Sequence, residues 1–276
     1  MRFRREVLGE ALGTCLLVLF GCGAVAVSVL FGAHQGILPI ALLWGIGVTL
    51  AIYLTRHLSC AHLNPAVTLA MAASGRMAWR KGPAYLASQL GGAVLAGLVL
   101  YALFAPSIAA FEAQRGIVRG TAESVATAKI FGEFYPDSGG AARVTLPLAM
   151  GAEALGTFLL VLMIFALTEG CNVGRPNDAL APVFIGLTVT SVICLVAPLT
   201  QAGLNPARDL GPRLVAWLAG WGGAAFPDRV GGFFHVYVLS PVVGGMAAAR
   251  FFVGVLEPAM RQTPDGCGCK NEDCPR

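Results

Sequence analysis

Residues 62–66 read His62-Leu-Asn-Pro-Ala66, and residues 203–207 read Gly203-Leu-Asn-Pro-Ala207. Behind each Asn-Pro-Ala box comes an apolar stretch, Val67–Ala73 and Leu210–Leu218. About ten helical residues cover ~15 Å, half of the ~30 Å hydrocarbon layer of a bilayer, so neither stretch can span one. Asn is a favoured helix N-cap and Pro suits the first helical position, so each box predicts a half-helix that starts at Asn-Pro. A single Asn-Pro would read as a surface turn. Two in register point to something built.

The register comes from a duplication. Glu10-Ala-Leu-Gly-Thr-Cys-Leu-Leu-Val-Leu19 returns as Glu153-Ala-Leu-Gly-Thr-Phe-Leu-Leu-Val-Leu162 at an offset of 143 residues, and the boxes are offset by 141. Gly45 and Gly186 each precede their box asparagine by nineteen residues. Repeats of this kind decide a fold. Composition sets the solvent: 56% of the 276 residues are hydrophobic and 12% charged, against roughly 25% charged in a soluble domain. Mean hydropathy is +0.72. That excludes an ordinary water-soluble enzyme, a disordered chain and a coiled coil.

Six apolar runs are long enough to cross a membrane: Val7–Phe31, Leu38–Leu54, Pro83–Phe104, Pro147–Leu167, Leu180–Ala197 and Phe233–Leu256. The first is longer than a signal peptide needs and carries Glu10, so it reads as a span. Each unit holds three spans. Three is odd, so the second copy enters the membrane inverted, and inverted repeats share a site near the midplane. We expect one all-α membrane domain over residues 1–256, with repeats near 5–104 and 147–256, and a polar tail over 257–276. With the N-terminus inside, twelve Lys and Arg fall on the inner side and seven outside, which sets both termini in the cytoplasm of a plasma or inner membrane. The connection Ala105–Val144 carries a helix-like piece, Ala122–Phe131, and at that length is expected to be functional or disordered. A net charge of +4, scattered along the chain, does not suggest a nucleic-acid partner.

Inversion brings the two half-helix starts together at mid-membrane. Their positive dipole ends then face one another and raise the energy of a cation there. Asn64 and Asn205 would accept local N–H groups through their side-chain oxygens and aim NH₂ donors into a lumen. The non-helical backbone leading in would expose carbonyls, with Cys60, Ala61, His62, Gln201 and Gly203 as the acceptors along a path.

The paired boxes Asn64-Pro65-Ala66 and Asn205-Pro206-Ala207 resemble those of the aquaporin or major intrinsic protein family, over nearly the whole chain. Asp209 after Arg208, the phrase Ala61-His-Leu-Asn-Pro-Ala-Val-Thr68, and Phe111-Glu through Ile117-Val-Arg-Gly120 are most similar to its glycerol-facilitator branch, as is Leu214-Val-Ala-Trp-Leu-Ala-Gly-Trp-Gly222. The resemblance implies six spans and two half-helices, a homotetramer with one pore per subunit, and passive conduction of small uncharged solutes. It also implies a selectivity filter at Trp44, Ile193, Ala202 and Arg208. Arg208 would supply fixed donors and repel cations; Trp44 would supply an apolar wall. Ile193 and Ala202 depart from the branch, which resembles Gly and Phe there, and look more like the plant nodulin-like filter. Glycerol and water are thus the expected permeants, with urea and arsenite as alternatives.

Glu10 and Glu153 are intramembrane carboxylates, a type that often serves proton relays. Their matched places in the repeat favour structural anchors for the box loops, and Asp209 is grouped with them. His62 reads as a brace of its loop, and with Cys60 it lacks metal-ligand company. Cys267, Cys269 and Cys274 in the tail could gather around a soft ion, or simply belong to a disordered terminus. No cofactor is expected. A secondary active transporter could share broken helices and inverted repeats but needs a coupling group where asparagines stand. A non-conducting junction protein is a second rival. The chain has no Walker loop, nucleophile elbow, His-Glu-x-x-His or dinucleotide fingerprint, so an enzyme is the least expected reading.

Overall fold

A computed structural model describes residues 2–135, 143–226 and 232–261. It is all-helical over those residues. Helices α1 (Arg2–Phe31), α2 (Ile37–Thr55), α3 (Pro65–Ala73) and α4 (Gly82–Arg115) form the first unit. After a short α5 (Val125–Ala128) come α6 (Leu146–Thr168), α7 (Ala181–Thr200), α8 (Pro206–Ala216) and α9, the span Phe234–Arg261. In α9, wider π-type turns flank the regular stretch Ser240–Phe251. Six helices are long and apolar enough to cross a membrane, and α3 and α8, nine and eleven residues long, are too short to do so.

The units interlock rather than sit side by side. α1 packs on α2 and α4, and α6 packs on α7 and α9. The half-helix of each unit then reaches into the other, α3 against α9 and α8 against α4, while α2 crosses α7. That last crossing depends on Gly45 and Gly186. A Cβ on Gly45 would lie 2.5 Å from the Gly186 carbonyl oxygen, and one on Gly186 would lie 2.4 Å from that of Gly45. Large apolar side chains cover the outside, among them Leu38, Leu42, Leu98, Leu103 and Leu195. Such a surface is costly in water and suited to lipid.

Helix bounds differ from the sequence reading mainly in two places. α4 does not stop at Phe104; it runs through Pro106 to Arg115. Proline forfeits one helical hydrogen bond, but the turns beyond it are closed by a left-handed Gly116 and by the Ile117 N–H donating to the Glu112 carbonyl. Arg119 folds back on that end, 2.7 Å from Glu112, and its guanidinium lies 4.0 Å from the Trp221 ring. The helix expected over Ala122–Phe131 shrinks to one 3₁₀ turn and α5. Residues 129–135 then turn inward and are mostly buried. Arg56, Lys81, Glu169 and Glu257 gather at the face that holds the N-terminus; Glu112, Arg119 and Glu133 belong to the opposite face.

Candidate functional site

Both boxes are helix starts. Asn64 caps α3 by accepting from the Ala66 N–H at 2.8 Å; Asn205 caps α8 by accepting from Ala207 at 3.1 Å and Arg208 at 3.2 Å. Pro65 and Pro206 occupy the first helical turn, where no donor is missed. The amides do more than face a lumen. Asn64 Nδ2 donates to the Leu204 carbonyl at 2.9 Å, and Asn205 Nδ2 donates to the Leu63 carbonyl at 2.7 Å. Each amide thus spends one N–H on the opposite repeat and keeps one. The half-helices are stitched together across the pseudo-two-fold.

The loops that deliver the boxes are strained. Ala61, Leu63, Gln201, Ala202 and Leu204 all have positive φ without being glycine. Such conformations persist only where the surroundings over-determine them. Two buried carboxylates supply that constraint. Glu10 accepts from Ser59 Oγ, the His62 N–H, the Leu63 N–H and Gln89 Nε2, all within 3.0 Å. Glu153 accepts from Thr200 Oγ1, the Gly203 N–H and the Leu204 N–H, all within 2.8 Å. Backbone donors at 62, 63, 203 and 204 are matched at the repeat offset. Tyr237 adds a brace on the second loop, donating to the Thr200 carbonyl at 2.9 Å and leaving room only for glycine at 203.

A cavity of about 300 Å³ runs between the loops. Asn64, Asn205, Cys60, Ala61, His62 and Gly203 line it, and so do Trp44, Ile193, Ala202 and Arg208. One end reaches Arg56 and Asp178. Gln201 is the exception among the expected carbonyl acceptors: it does not line this cavity. Its backbone closes α7 in a left-handed turn, and its side-chain oxygen accepts from the Phe134 N–H at 2.8 Å. Pro65, Ala66, Pro206 and Ala207 sit behind the lining, buried in the half-helix starts. Glu10 and Glu153 are fully buried and also stand outside the cavity wall. His62 packs against Tyr85 with the rings tilted and their centroids 5.3 Å apart, and its Nδ1 lies 3.3 Å from Thr68 Oγ1.

At the other end, Arg208 sits over Trp44, its guanidinium carbon 4.1 Å from the ring centroid. Gly21 on α1 makes space behind the indole, since a Cβ there would come within 2.1 Å of it. Arg208 Nη2 donates to the Ala202 carbonyl at 2.8 Å, and Nη1 pairs with Glu133. Asp209 is fully buried; it holds Arg213 at 2.7 Å and accepts the Glu133 N–H at 2.8 Å. Glu133 is the residue that sequence reasoning missed. Its one signal was a loop of unusual length.

Among the described residues no group of three His, Cys, Asp or Glu could hold a metal ion. Cys267, Cys269 and Cys274 lie outside the described residues.

Six membrane-crossing helices in two inverted triplets, with half-helices meeting beside a cavity that is apolar except at a few polar groups, define a multi-pass channel architecture. The family follows from comparison: the major intrinsic protein model matches residues 1–252, and the chain belongs to that family. It is 39% identical over 268 residues to the glycerol uptake facilitator protein of Haemophilus influenzae, covering 97% of this chain and 98% of that one. It is 39% identical over 256 residues to the propanediol uptake facilitator of Salmonella typhimurium, covering 91% and 95%. The crystal structure of the aquaglyceroporin from Plasmodium falciparum superposes with a TM-score of 0.81 at 26% identity, covering 94% of this chain and 99% of that one.

Proposed function

We propose that this chain is a passive channel for glycerol and similar small uncharged solutes, with water as co-permeant and with ions and protons excluded. The observation that carries the reading is the cavity itself, polar at Asn64 and Asn205 and apolar around them. The names of the relatives, glycerol and propanediol uptake facilitators, support this solute class. Trp44, Ile193, Ala202 and Arg208 are assigned as the selectivity filter because they bound one end of the cavity. Ion exclusion follows from two half-helix N-termini facing the path and from the arginine at its end. Residues 1–256 act as one channel unit, assembled as a homotetramer, in the cell membrane with both termini cytoplasmic.

Active transport is disfavoured by the same geometry. The two carboxylates that could carry a proton are walled off from the path and engaged by three or four donors each. No catalytic role is assigned. A second reading, conduction of arsenite or urea, is favoured by one observation: the small Ala202 and the aliphatic Ile193 at the constriction. A stopped-flow panel on proteoliposomes with water, glycerol, urea and arsenite tests both. Linear, proton-independent glycerol flux is expected. Saturable uptake driven by a proton gradient would defeat the channel reading.

A further inference from the structure

Arg208 would ordinarily place an uncompensated positive charge in a desolvated constriction, attractive to any small anion. Here it is compensated from outside both repeats. Residues 131–135 belong to the long connection between α4 and α6, and three hydrogen bonds pin them onto α8 and the loop before it. The Glu133 N–H donates to Asp209 Oδ1 at 2.8 Å, the Phe134 N–H donates to Gln201 Oε1 at 2.8 Å, and Arg213 Nη2 donates to the Glu133 carbonyl at 2.6 Å. A side chain on Gly132 would collide with the Arg213 guanidinium, 2.6 Å from its Cβ, so the segment approaches as closely as backbone allows. The result is a glutamate side chain only 8% exposed, delivered to an arginine side chain only 4% exposed.

Arg208 is therefore held on three sides: Glu133 on Nη1, the Ala202 carbonyl on Nη2, and the Trp44 ring against its face. A planar guanidinium has five N–H donors, so others stay available to a passing hydroxyl group. Asp209 does not offer the same compensation, because both of its oxygens are taken by Arg213 and it also accepts the Glu133 N–H.

We propose that Glu133 is a specificity-determining residue of the conduction path, neutralising and positioning Arg208 so that the constriction offers donors to hydroxylated solutes without offering a net positive charge to small anions. The proposal rests on the reading of Trp44, Ile193, Ala202 and Arg208 as the constriction. The excluded class is a monovalent anion of glycerol's width or less, for which chloride is a convenient probe.

The test uses the full chain in proteoliposomes, with glycerol and water flux by stopped flow and chloride flux in the presence of valinomycin and potassium. Glu133→Gln keeps the shape and removes the charge; chloride flux should rise about tenfold or more, the factor that a modest unscreened electrostatic change gives. Adding Arg208→Leu to it removes the attracting charge as well, and chloride flux should return to background. Glu133→Asp keeps the charge but withdraws it by one methylene; chloride should stay excluded while the glycerol-to-water ratio shifts. If Glu133→Gln does not fold, the ratio in Glu133→Asp decides. Unchanged chloride flux in a folded Glu133→Gln, or an unchanged ratio in Glu133→Asp, overturns the proposal. Arg208→Leu alone separates the two levels: if it leaves the glycerol-to-water ratio untouched, the constriction itself is misassigned.

Discussion

Glu153→Gln is the substitution whose consequence the geometry specifies most closely. Glutamine keeps the size of the side chain but turns one acceptor oxygen into an NH₂ donor. Oε1 of Glu153 receives two donors, Thr200 Oγ1 at 2.6 Å and the Gly203 N–H at 2.8 Å; Oε2 receives one, the Leu204 N–H at 2.7 Å. The surviving carbonyl oxygen therefore takes the two-donor position, and the new NH₂ meets the Leu204 N–H head on. One charge-assisted bond is lost, worth about 1.5–3 kcal/mol, and the other two weaken with the charge, for a total of about 2–4 kcal/mol. For a chain of this size that is roughly 5–15 °C in Tm. Glu10 has four donors, so a simple count makes Glu10→Gln the worse change. Gln89 Nε2 donates both to Glu10 Oε2 at 2.7 Å and to Thr68 Oγ1 at 2.8 Å, and turning its amide over would only move the buried group without a partner from its oxygen to its NH₂. Glu10→Gln should therefore cost at least as much as Glu153→Gln. Thermal unfolding in detergent measures both, and glycerol flux per folded protein should fall in each because a strained loop is released. A Tm unmoved by Glu153→Gln, with loss of a proton-driven component of uptake, would refute the anchor reading and establish a relay.

Three further outcomes are expected. Ile193→His projects a ring and a donor into the cavity that Trp44 and Arg208 also line; if these residues form the proposed constriction, glycerol flux should fall about tenfold further than water flux, the cost of roughly one unmatched polar group. An unchanged glycerol-to-water ratio would remove position 193 from the constriction. Gly45→Ala puts a Cβ 2.1 Å from Thr190 Oγ1 and should destabilise by about 1–3 kcal/mol in an unfolding assay, whereas Gly91→Ala, with nothing within 4 Å, should be neutral. Equal effects would mean that α2 and α7 do not cross this closely. Glu169 connects α6 to α7 outside the spans; burial raises its pKa, but the hydrogen bond from Arg76 at 2.5 Å, the Cys171 N–H and the Arg76 charge together hold it below the ordinary carboxylate range. A carboxylate with a lowered folded pKa stabilises above its unfolded value, about 4.3, and loses that contribution as pH falls through the folded value. Melting temperature should decline on acidification below about pH 4.3, and Glu169→Gln should flatten that decline; an acid limb identical in the two proteins would count against it.

What the sequence made legible was local or repeated. A capping asparagine, its proline and a short apolar run are contiguous, so α3 and α8 could be read from a few residues each. Glu10 and Glu153 stood out because a duplication displayed them twice at the same place. The contacts that were not legible join distant segments with no periodic signal. The Asn64 amide reaches the Leu204 carbonyl, 140 residues away, where a lumen-facing donor was the natural expectation. Gln201 had every local mark of a path-lining carbonyl, yet its side chain is committed to the Phe134 N–H. Glu133 and Arg208 are 75 residues apart, and a lone glutamate in a long loop carries no pattern that names its partner. The extension of α4 past Pro106 was hidden by the ordinary rule that proline ends helices, which the Gly116 cap and the Arg119–Glu112 pair override.

The scaffold is symmetric where it bears load and asymmetric where it meets solute. Shifting by 141 residues maps the loop hydroxyls Ser59 onto Thr200, the boxes onto one another, and the lining residues Val48 onto Val189 and Ile52 onto Ile193. The same shift applied to Trp44, Ile193, Ala202 and Arg208 gives Ile185, Ile52, Ala61 and Val67, all of which also line the cavity. That second ring has the same backbone frame and no charge. Where the first unit has Val67, Thr68 and Ala72, the second has Arg208, Asp209 and Arg213, and it is this trio that draws in Glu133. On the proposed path, a solute that has passed Arg56 and Asp178 at the mouth meets aliphatic walls with backbone carbonyls, then two asparagine donors, and then Arg208. Dehydration by apolar surface and replacement of water by fixed donors are thus separated in space along one path. A duplicated membrane scaffold supplies the frame for that separation, and substitutions in only one copy supply the chemistry.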